Sequence, residues 1–458
     1  MLGRILALSM CSWQSMGFAL SLEQAISTAL VKNPASKQFQ ATTGSARLAI
    51  DAASMEFAFN IQPESTLAVS DSSDAGGSYG LRLSKKNRYG GELIVRGVTD
   101  ALLGSGSGER FSLQYAQPLF RRAGKLVNEE PVVRRERAYL SEQRSRLLFL
   151  SQLSVQVAEA YENARRLELQ RTADRQAMER AESLYKLTLA KERLGRTTRI
   201  DTLRVQQQQG EARNRFATTQ EQYQATRNRL AELMGRSDIH DELLQETPLM
   251  RVDYRTADEA VRIALANRLD YAEIQQSFED AARASRIAKQ NTKPGLRLIT
   301  GYEHRANADF PNTSLGQDTN TWYVRVTADN DTNLRRQKIE YQQAVLRQSR
   351  AMEDIRARNL AITREVEEAL ATHRRTHEQL SVLEGNYEHA SARLKLARRL
   401  FSLGRMDGFS VTDAEQAYFN AQSRWLSGKS ETTVSAYRLL HRTGTLVDAP
   451  LSLKPGAY

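Results

Sequence analysis

The chain repeats itself. Leu194, Gly195 and Arg196 recur as Leu403, Gly404 and Arg405, 209 residues later. At the same offset Gln207 matches Gln416, Ala212 matches Ala421, Arg215 matches Arg424, Leu230 matches Leu439 and Gly235 matches Gly444. A second echo opens each half: Leu22, Ala25, Ala29 and Leu30 correspond to Ala257, Ala260, Ala264 and Leu265, at an offset of 235. A duplicated unit of this size sets the architecture before any local motif is read. The offsets differ by 26 residues, so the first half carries an insertion.

Prolines mark the boundaries inside each copy. None of the nine falls between residues 132 and 247 or between 312 and 449. Proline breaks helices, so both windows admit very long ones. They are rich in Ala, Leu, Gln, Glu and Arg, which favour helix. The first window predicts a helix from about Val132 to Leu194, a turn from Gly195 to Arg199 and a returning helix to Met234. The second predicts a helix from Leu334 to Leu403, a turn from Gly404 to Phe409 and a helix to Arg442. A helix of roughly 60 residues is about 90 Å long, more than a compact globule needs. The returning helices carry apolar residues every seventh position, at Phe216, Tyr223 and Leu230 and at Val411, Tyr418 and Trp425. This is coiled-coil seam spacing.

Shorter alternating segments precede the long helices. Phe111, Leu113 and Tyr115 alternate with polar residues, as do Trp322, Val324 and Val326, the last two flanking Arg325. Leu296, Leu298, Thr300 and Tyr302 form one face of another segment, and Leu67 begins a weaker one. Leu81 with Leu83 and Leu93 with Val95 give two more, joined at Asn87 to Gly90; this hairpin fills the insertion. The alternation fits membrane strands with apolar residues outward and a wet interior at Arg297 and Arg325. It also fits a soluble sheet. Ser72 to Ser78 and Gly104 to Gly108 read as loops.

Hydrophobic residues make up 40% of the chain and no run approaches the roughly 20 needed for a membrane helix. Any membrane crossing must therefore use strands. The net charge of +11 raises nucleic-acid binding, but the basic residues are dispersed among acidic ones, which argues against it. Arg4, the apolar stretch Ile5 to Met10 and the small-residue site ending at Ala19 read as an export signal over residues 1–19. Cys11 is the only cysteine, which excludes an intrachain disulfide and a multi-thiolate zinc site. Its setting faintly resembles a lipoprotein signal, with Met10 too large for one.

No motif supports catalysis, a metal or a cofactor. His373 and His377 are one helical turn apart, but the glutamate of a zinc protease is missing and the pair reads as a solvated helix face. Gly104, Gly106 and Gly108 lack the following Lys of a phosphate loop. The helical turns are more informative. Gly195 and Gly404 stand where a first helix must stop. Asp201 and Asp413 lie at the start of the returning helices, where a carboxylate caps the helix dipole. In a symmetric assembly three copies of Asp413 would form a ring around an axis and attract cations.

Together these features resemble the TolC family of outer-membrane efflux and secretion channels. The carrying residues are Leu22, Ala25, Ala29, Leu30, Asn33 and Pro34, their echo at 257–268, the run Gln117, Pro118, Leu119 and Phe120, and the two Leu-Gly-Arg turns. The resemblance implies a mixed fold: a long α-helical coiled-coil tunnel plus a transmembrane antiparallel β-barrel completed by a homotrimer, from two tandem structural repeats. It implies a first repeat over 20–247, with strands about 64–119 and a helical hairpin about 132–234. The second covers 248–445, with strands about 295–328 and a hairpin about 334–442, and 446–458 is a tail. It implies an outer membrane of a Gram-negative bacterium with a periplasmic helical extension, contact with outer-membrane lipid, a periplasmic adaptor protein and an inner-membrane transporter of RND, MFS or ABC type. No nucleic acid is implied. Gly195, Arg196, Gly404 and Arg405 would meet the adaptor. Asp413 falls on one of two constriction aspartates and Ser410 on the other, and Asp201 offers a carboxylate from the first repeat. The function implied is a passive exit duct of a small-molecule efflux pump. A type I protein secretion duct is the alternative, and a soluble basic coiled-coil scaffold or nucleic-acid-binding protein a remoter one. Thr327 and Ala328 replace the Pro-Leu expected there, and the hairpin near 80–97 exceeds two strands per repeat. Joined to the barrel it would give eighteen strands instead of twelve; folded outside, it leaves twelve.

Overall fold

The computed structural model describes residues 19–69, 75–102, 108–195, 197–239, 242–307, 319–328, 334–403, 405–406 and 408–456. The first half contains β1 (Ala19–Leu20), α1 (Leu22–Lys32), α2 (Pro34–Ser54), β2 (Phe59–Val69), β3 (Ala75–Lys86), β4 (Glu92–Leu102), β5 (Gly108–Pro118), α3 (Lys125–Asn128), α4 (Glu130–Arg193) and α5 (Arg199–Leu233). The second contains β6 (Leu243–Leu244), α6 (Ala257–Asn267), α7 (Leu269–Asn291), β7 (Leu296–Asn307), β8 (Thr319–Ala328), α8 (Leu334–Ser402) and α9 (Gly408–Arg442). Each proline-free window thus holds one pair of long helices. The export signal, apart from Ala19, and Cys11 lie outside the described residues. The chain divides into two compact units that do not coincide with the repeats.

The first unit comprises residues 1–40, 144–272 and 358–458. Its core is built twice. In the first repeat Ser21 caps α1 through a reciprocal bond with Gln24, and Leu22, Ala25 and Ala29 are buried. They join Leu153, Val157, Tyr161, Leu230 and Met234 from α4 and the end of α5. In the second, Thr256 caps α6, and Ala260 and Ala264 join Ile362, Val366, Leu370 and Leu439 from α8 and α9. Each fully buried aliphatic side chain here contributes about 2 kcal/mol. The small residues of α1 and α6 let the short helices lie close against the long pairs.

The returning helices end alike. Gly235 N donates to Glu232 O (3.0 Å) and Arg236 N to Ala231 O (2.9 Å). Gly444 N donates to His441 O (3.1 Å) and Thr445 N to Leu440 O (2.9 Å). Both glycines have positive φ, 65° and 71°. This is the Schellman closure, and glycine meets its left-handed residue without strain. The repeat seen in the letters is therefore a repeat in backbone bonding.

The second unit comprises residues 41–143 and 273–357. Its helical part is tied by polar contacts: Arg283 pairs with Glu130 (2.7 Å) and Asp280 (2.8 Å), and Ser141 donates to Glu273 (2.8 Å). The rest is a six-stranded sheet of order β2-β3-β4-β5-β7-β8, antiparallel throughout. β3 begins at Ala75, so part of the Ser72 to Ser78 stretch expected as a loop is strand. Pairing with β2, which sets Gly77 opposite the large Leu67, overrides the low strand preference of Gly and Ser. Pro63 lies in β2, an edge strand, where a missing N–H is tolerated.

Candidate functional site

The first helical turn is a capped, self-contained corner. α4 stops as Leu194 N bonds Lys191 O (3.2 Å) and Gly195 N bonds Glu192 O (2.9 Å), with Gly195 at φ 67°. Thr198 then caps α5. Asp201 N donates to Thr198 Oγ1 (3.2 Å), and Asp201 Oδ2 accepts from Thr198 Oγ1 (2.6 Å), Thr198 N (3.3 Å) and Thr197 Oγ1 (3.2 Å). These bonds, led by the Thr198 hydroxyl, hold the Asp201 carboxyl below its ordinary pKa. Asp201 is engaged in the turn. Arg196 lies outside the described residues.

The second turn lies between α8 and α9. Leu403 N bonds Arg399 O (3.2 Å) and Arg405 N bonds Leu400 O (2.9 Å). Asp413, one turn into α9, pairs with Arg393 of α8 at 2.5 Å, and Arg398 pairs with Glu415 at 2.6 Å. The two bridges tie one helix of the hairpin to the other above a small core of Leu394, Ala397 and Ala414. Ser410 is half-buried on the same turn of α9, and Arg405 is exposed. Gly404 lies outside the described residues. Farther along the pair Trp425 stacks on Tyr387 (centroids 4.9 Å apart, planes 4° apart). Tyr418 faces Tyr387 hydroxyl to hydroxyl at 3.5 Å; burial, then that bond, pushes its pKa up to about 12.

The two hairpins touch laterally. Arg215 donates to Gln416 (3.2 Å), and Thr412 lies 3.5 Å from Gln208. Around the turns Leu194, Ile200, Leu203, Leu403 and Phe409 are exposed. Apolar side chains gathered at helix ends, rimmed by Arg199 and Arg405, make a surface suited to another protein.

His373 is not on a solvated face as expected. It is buried, with Nε2 accepting from Val252 N (3.3 Å) and Nδ1 facing Ser435 Oγ (2.9 Å). Burial, then the nearby His377, lowers its pKa. The spacing of Ile362, Val366, Leu370, His373, His377 and Leu380 carried the signal: both histidines lie on the apolar stripe of α8. No cluster of three metal-ligating side chains occurs among the described residues.

Sequence reasoning missed an ion network centred on the buried Arg268. Arg268 pairs with Asp270 (2.7 Å) and Glu365 (2.7 Å), Arg358 with Asp270 and Glu365 (3.2 Å), and Arg442 with Glu365 (3.1 Å). Burial raises the Asp270 pKa, but Arg268 and Arg358 outweigh it and hold the carboxyl at about 2. The pairs that join the α6–α7 junction to α8, and α8 to α9, are 77 to 97 positions apart, so no local pattern announces them.

The sheet offers the second functional surface. Its register sets Ile61, Leu83, Val95, Leu113, Tyr302 and Trp322 side by side, one from each strand. The adjoining row is Gln62, Arg82, Arg96, Ser112, Glu303 and Thr321. Successive residues of a strand point to opposite faces, so one face is apolar and the other polar. On the polar face Arg96 pairs with Glu64 at 2.7 Å. On the apolar face Leu67 is 91% and Trp322 77% exposed. An uncovered apolar face this wide calls for lipid or another protein. No described helix is long and apolar enough to cross a membrane.

Neither a family model nor a curated protein matches the sequence. Solved structures do. The Campylobacter jejuni CmeC outer membrane channel superposes with a TM-score of 0.72 at 13% identity, over 98% of this chain and 93% of that one. The chain has the TolC-type outer-membrane channel fold. Two more solved structures agree in fold. A membrane protein from Pseudomonas aeruginosa matches with a TM-score of 0.70 at 16% identity, over 92% of this chain and 90% of that one. The open state of the Neisseria gonorrhoeae MtrE outer membrane channel matches with a TM-score of 0.68 at 16% identity, over 93% and 89%.

Proposed function

We propose that the chain is an outer-membrane channel that serves as the passive exit duct of a small-molecule efflux assembly. The observation that carries this reading is the sheet, with one apolar row and one polar row crossing all six strands. In a bilayer the apolar face meets lipid and the polar face lines water, and backbone groups at both edges must find partners. The strands, 10 to 12 residues long, match the length a tilted membrane strand needs. A homotrimer supplies the missing edges. The helical hairpins then form the periplasmic duct, and their turns meet a periplasmic adaptor through the exposed apolar residues around Gly195 and Arg405. An inner-membrane transporter provides the energy.

The gate lies at the second turn. The Arg393–Asp413 and Arg398–Glu415 bridges hold α8 against α9, and opening releases the hairpin from this closed packing. Asp413 therefore acts first as a latch to Arg393, with Ser410 beside it, while Asp201 shapes the first turn. Cell fractionation followed by gel electrophoresis with and without heating tests the reading. An outer-membrane oligomer that dissociates on heating, with a mature N-terminus near Leu20, is expected. A soluble product retaining Met1 overturns it.

A further inference from the structure

The hairpin formed by β3 and β4 is part of the sheet wall. β2 pairs with β3 along its whole length, from Phe59 opposite Lys85 to Val69 opposite Ala75. β4 pairs with β5 from Glu92 opposite Ala116 to Asp100 opposite Gly108. The turn is locked as well. Asn87 Oδ1 accepts from Tyr89 N (2.9 Å) and Gly91 N (2.8 Å), and Asn87 Nδ2 donates to the Tyr115 hydroxyl of β5 (3.1 Å). The apolar and polar rows run through β3 and β4 without a break, so the hairpin meets the same two solvents as its neighbours.

Both edges of the sheet are open strands: β2 at one side and β8 at the other. They run in opposite directions, so β8 of one copy can meet β2 of the next in the antiparallel sense used throughout. Their apolar residues, Phe59 and Ile61 on β2 and Val324 and Val326 on β8, are exposed. An edge of this length in hydrocarbon has to be paired. The partner with matching strand length, matching faces and the required direction is a second copy of this chain.

We propose that three copies close edge to edge into an eighteen-stranded barrel, wider than the twelve strands that three four-stranded sheets would give. This rests on the channel reading above. At a strand spacing of about 4.7 Å and a tilt of about 40°, twelve strands trace a backbone ring about 24 Å across and eighteen a ring about 35 Å across. Barrels of 16 to 18 strands leave an aqueous channel without a plug. The extra hairpin thus gives the membrane part of the duct roughly twice the cross-section, enough for cargo bulkier than a single drug-sized molecule.

End-on electron micrographs of the purified full chain, with chemical cross-linking to count copies, test this. Three copies around a ring about 35 Å across are expected. Three copies around a ring about 24 Å across place the hairpin outside and overturn the inference, leaving the channel reading intact. Two copies closing twelve strands overturn it too. A soluble particle with no ring overturns both. A second measurement uses Leu83→Cys and Ser84→Cys, read in membranes against the unsubstituted chain. In a barrel wall Ser84→Cys faces water and reacts with a charged thiol reagent at least about tenfold faster than Leu83→Cys. Equal rates at the two positions overturn the inference.

Discussion

Gly235 lies so close to Lys32 that a Cβ on the glycine would stand 2.5 Å from the lysine carbonyl oxygen. Gly444 stands in the same relation to the backbone of Asn267 and Arg268, at 3.0–3.1 Å. In both repeats the end of the returning helix closes onto the end of the short leading helix. Gly235→Ala is expected to cost about 1–3 kcal/mol, from strain at positive φ and from the clash. Gly195→Ala has the same positive φ but open space around it, and is expected to cost about 1 kcal/mol. Urea unfolding of the purified protein compares them, and equal losses at the two sites contradict the packing argument.

The Arg393–Asp413 bridge is more than half exposed on each side. Asp413→Lys is therefore expected to change stability by less than about 1 kcal/mol. Its effect should appear in opening: two cations now face each other across the hairpin, and conductance in planar bilayers rises. The double variant Arg393→Glu with Asp413→Lys restores an opposite-charge pair and should return conductance toward that of the parent. A double variant as leaky as the single one rules out the latch.

Acid should weaken the protein in two stages. His373 and His441 are both held below the ordinary histidine pKa, chiefly by burial. The unfolded chain therefore binds their protons first, and the stability they confer is present above about pH 6.5 and lost as pH falls below it. Asp270, at about 2 when folded, contributes stability that is present above its unfolded value of about 3.9 and lost as pH falls toward 2. That contribution is about 2–3 kcal/mol. The unfolding midpoint followed against pH should show both falls. Asp270→Asn should shrink the lower one, and a profile unchanged by that substitution refutes the assignment.

The two faces of the sheet should respond oppositely to charge. Trp322→Arg puts a cation in lipid, at a cost of about 2–4 kcal/mol near the bilayer midplane. Thr321→Arg, one residue away, adds it to the water-lined face and should be tolerated. The yield of heat-dissociable oligomer in the outer membrane measures both, and equal losses contradict the assignment of faces.

The long helices were legible because proline is absent where it would break them, and the strands because apolar and polar residues alternate. What joins distant segments was not. The Asn87 turn marks a hairpin, but only the register against Tyr115 shows that it belongs to the six-stranded sheet. His373 could have been placed from its stripe on α8, since a polar residue at a core position of a heptad is read from spacing alone. The Arg268 network and the Arg393–Asp413 bridge join different helices, and side-chain pairing at that distance leaves no period in the sequence. Asp201 and Asp413 looked equivalent as letters. Local bonding separates them, because Thr198 stands three residues before Asp201 and engages it, while Asp413 reaches across to another helix.

A sheet enlarged by a whole hairpin keeps its parity. Adding β3 and β4 leaves β2 and β8 pointing in opposite directions, whereas a single added strand would make neighbouring copies meet parallel at every seam. If copies close edge to edge as proposed, bore changes in fixed increments, two strands per copy at a time, and one inserted hairpin widens the pore while the edges through which copies meet stay unaltered.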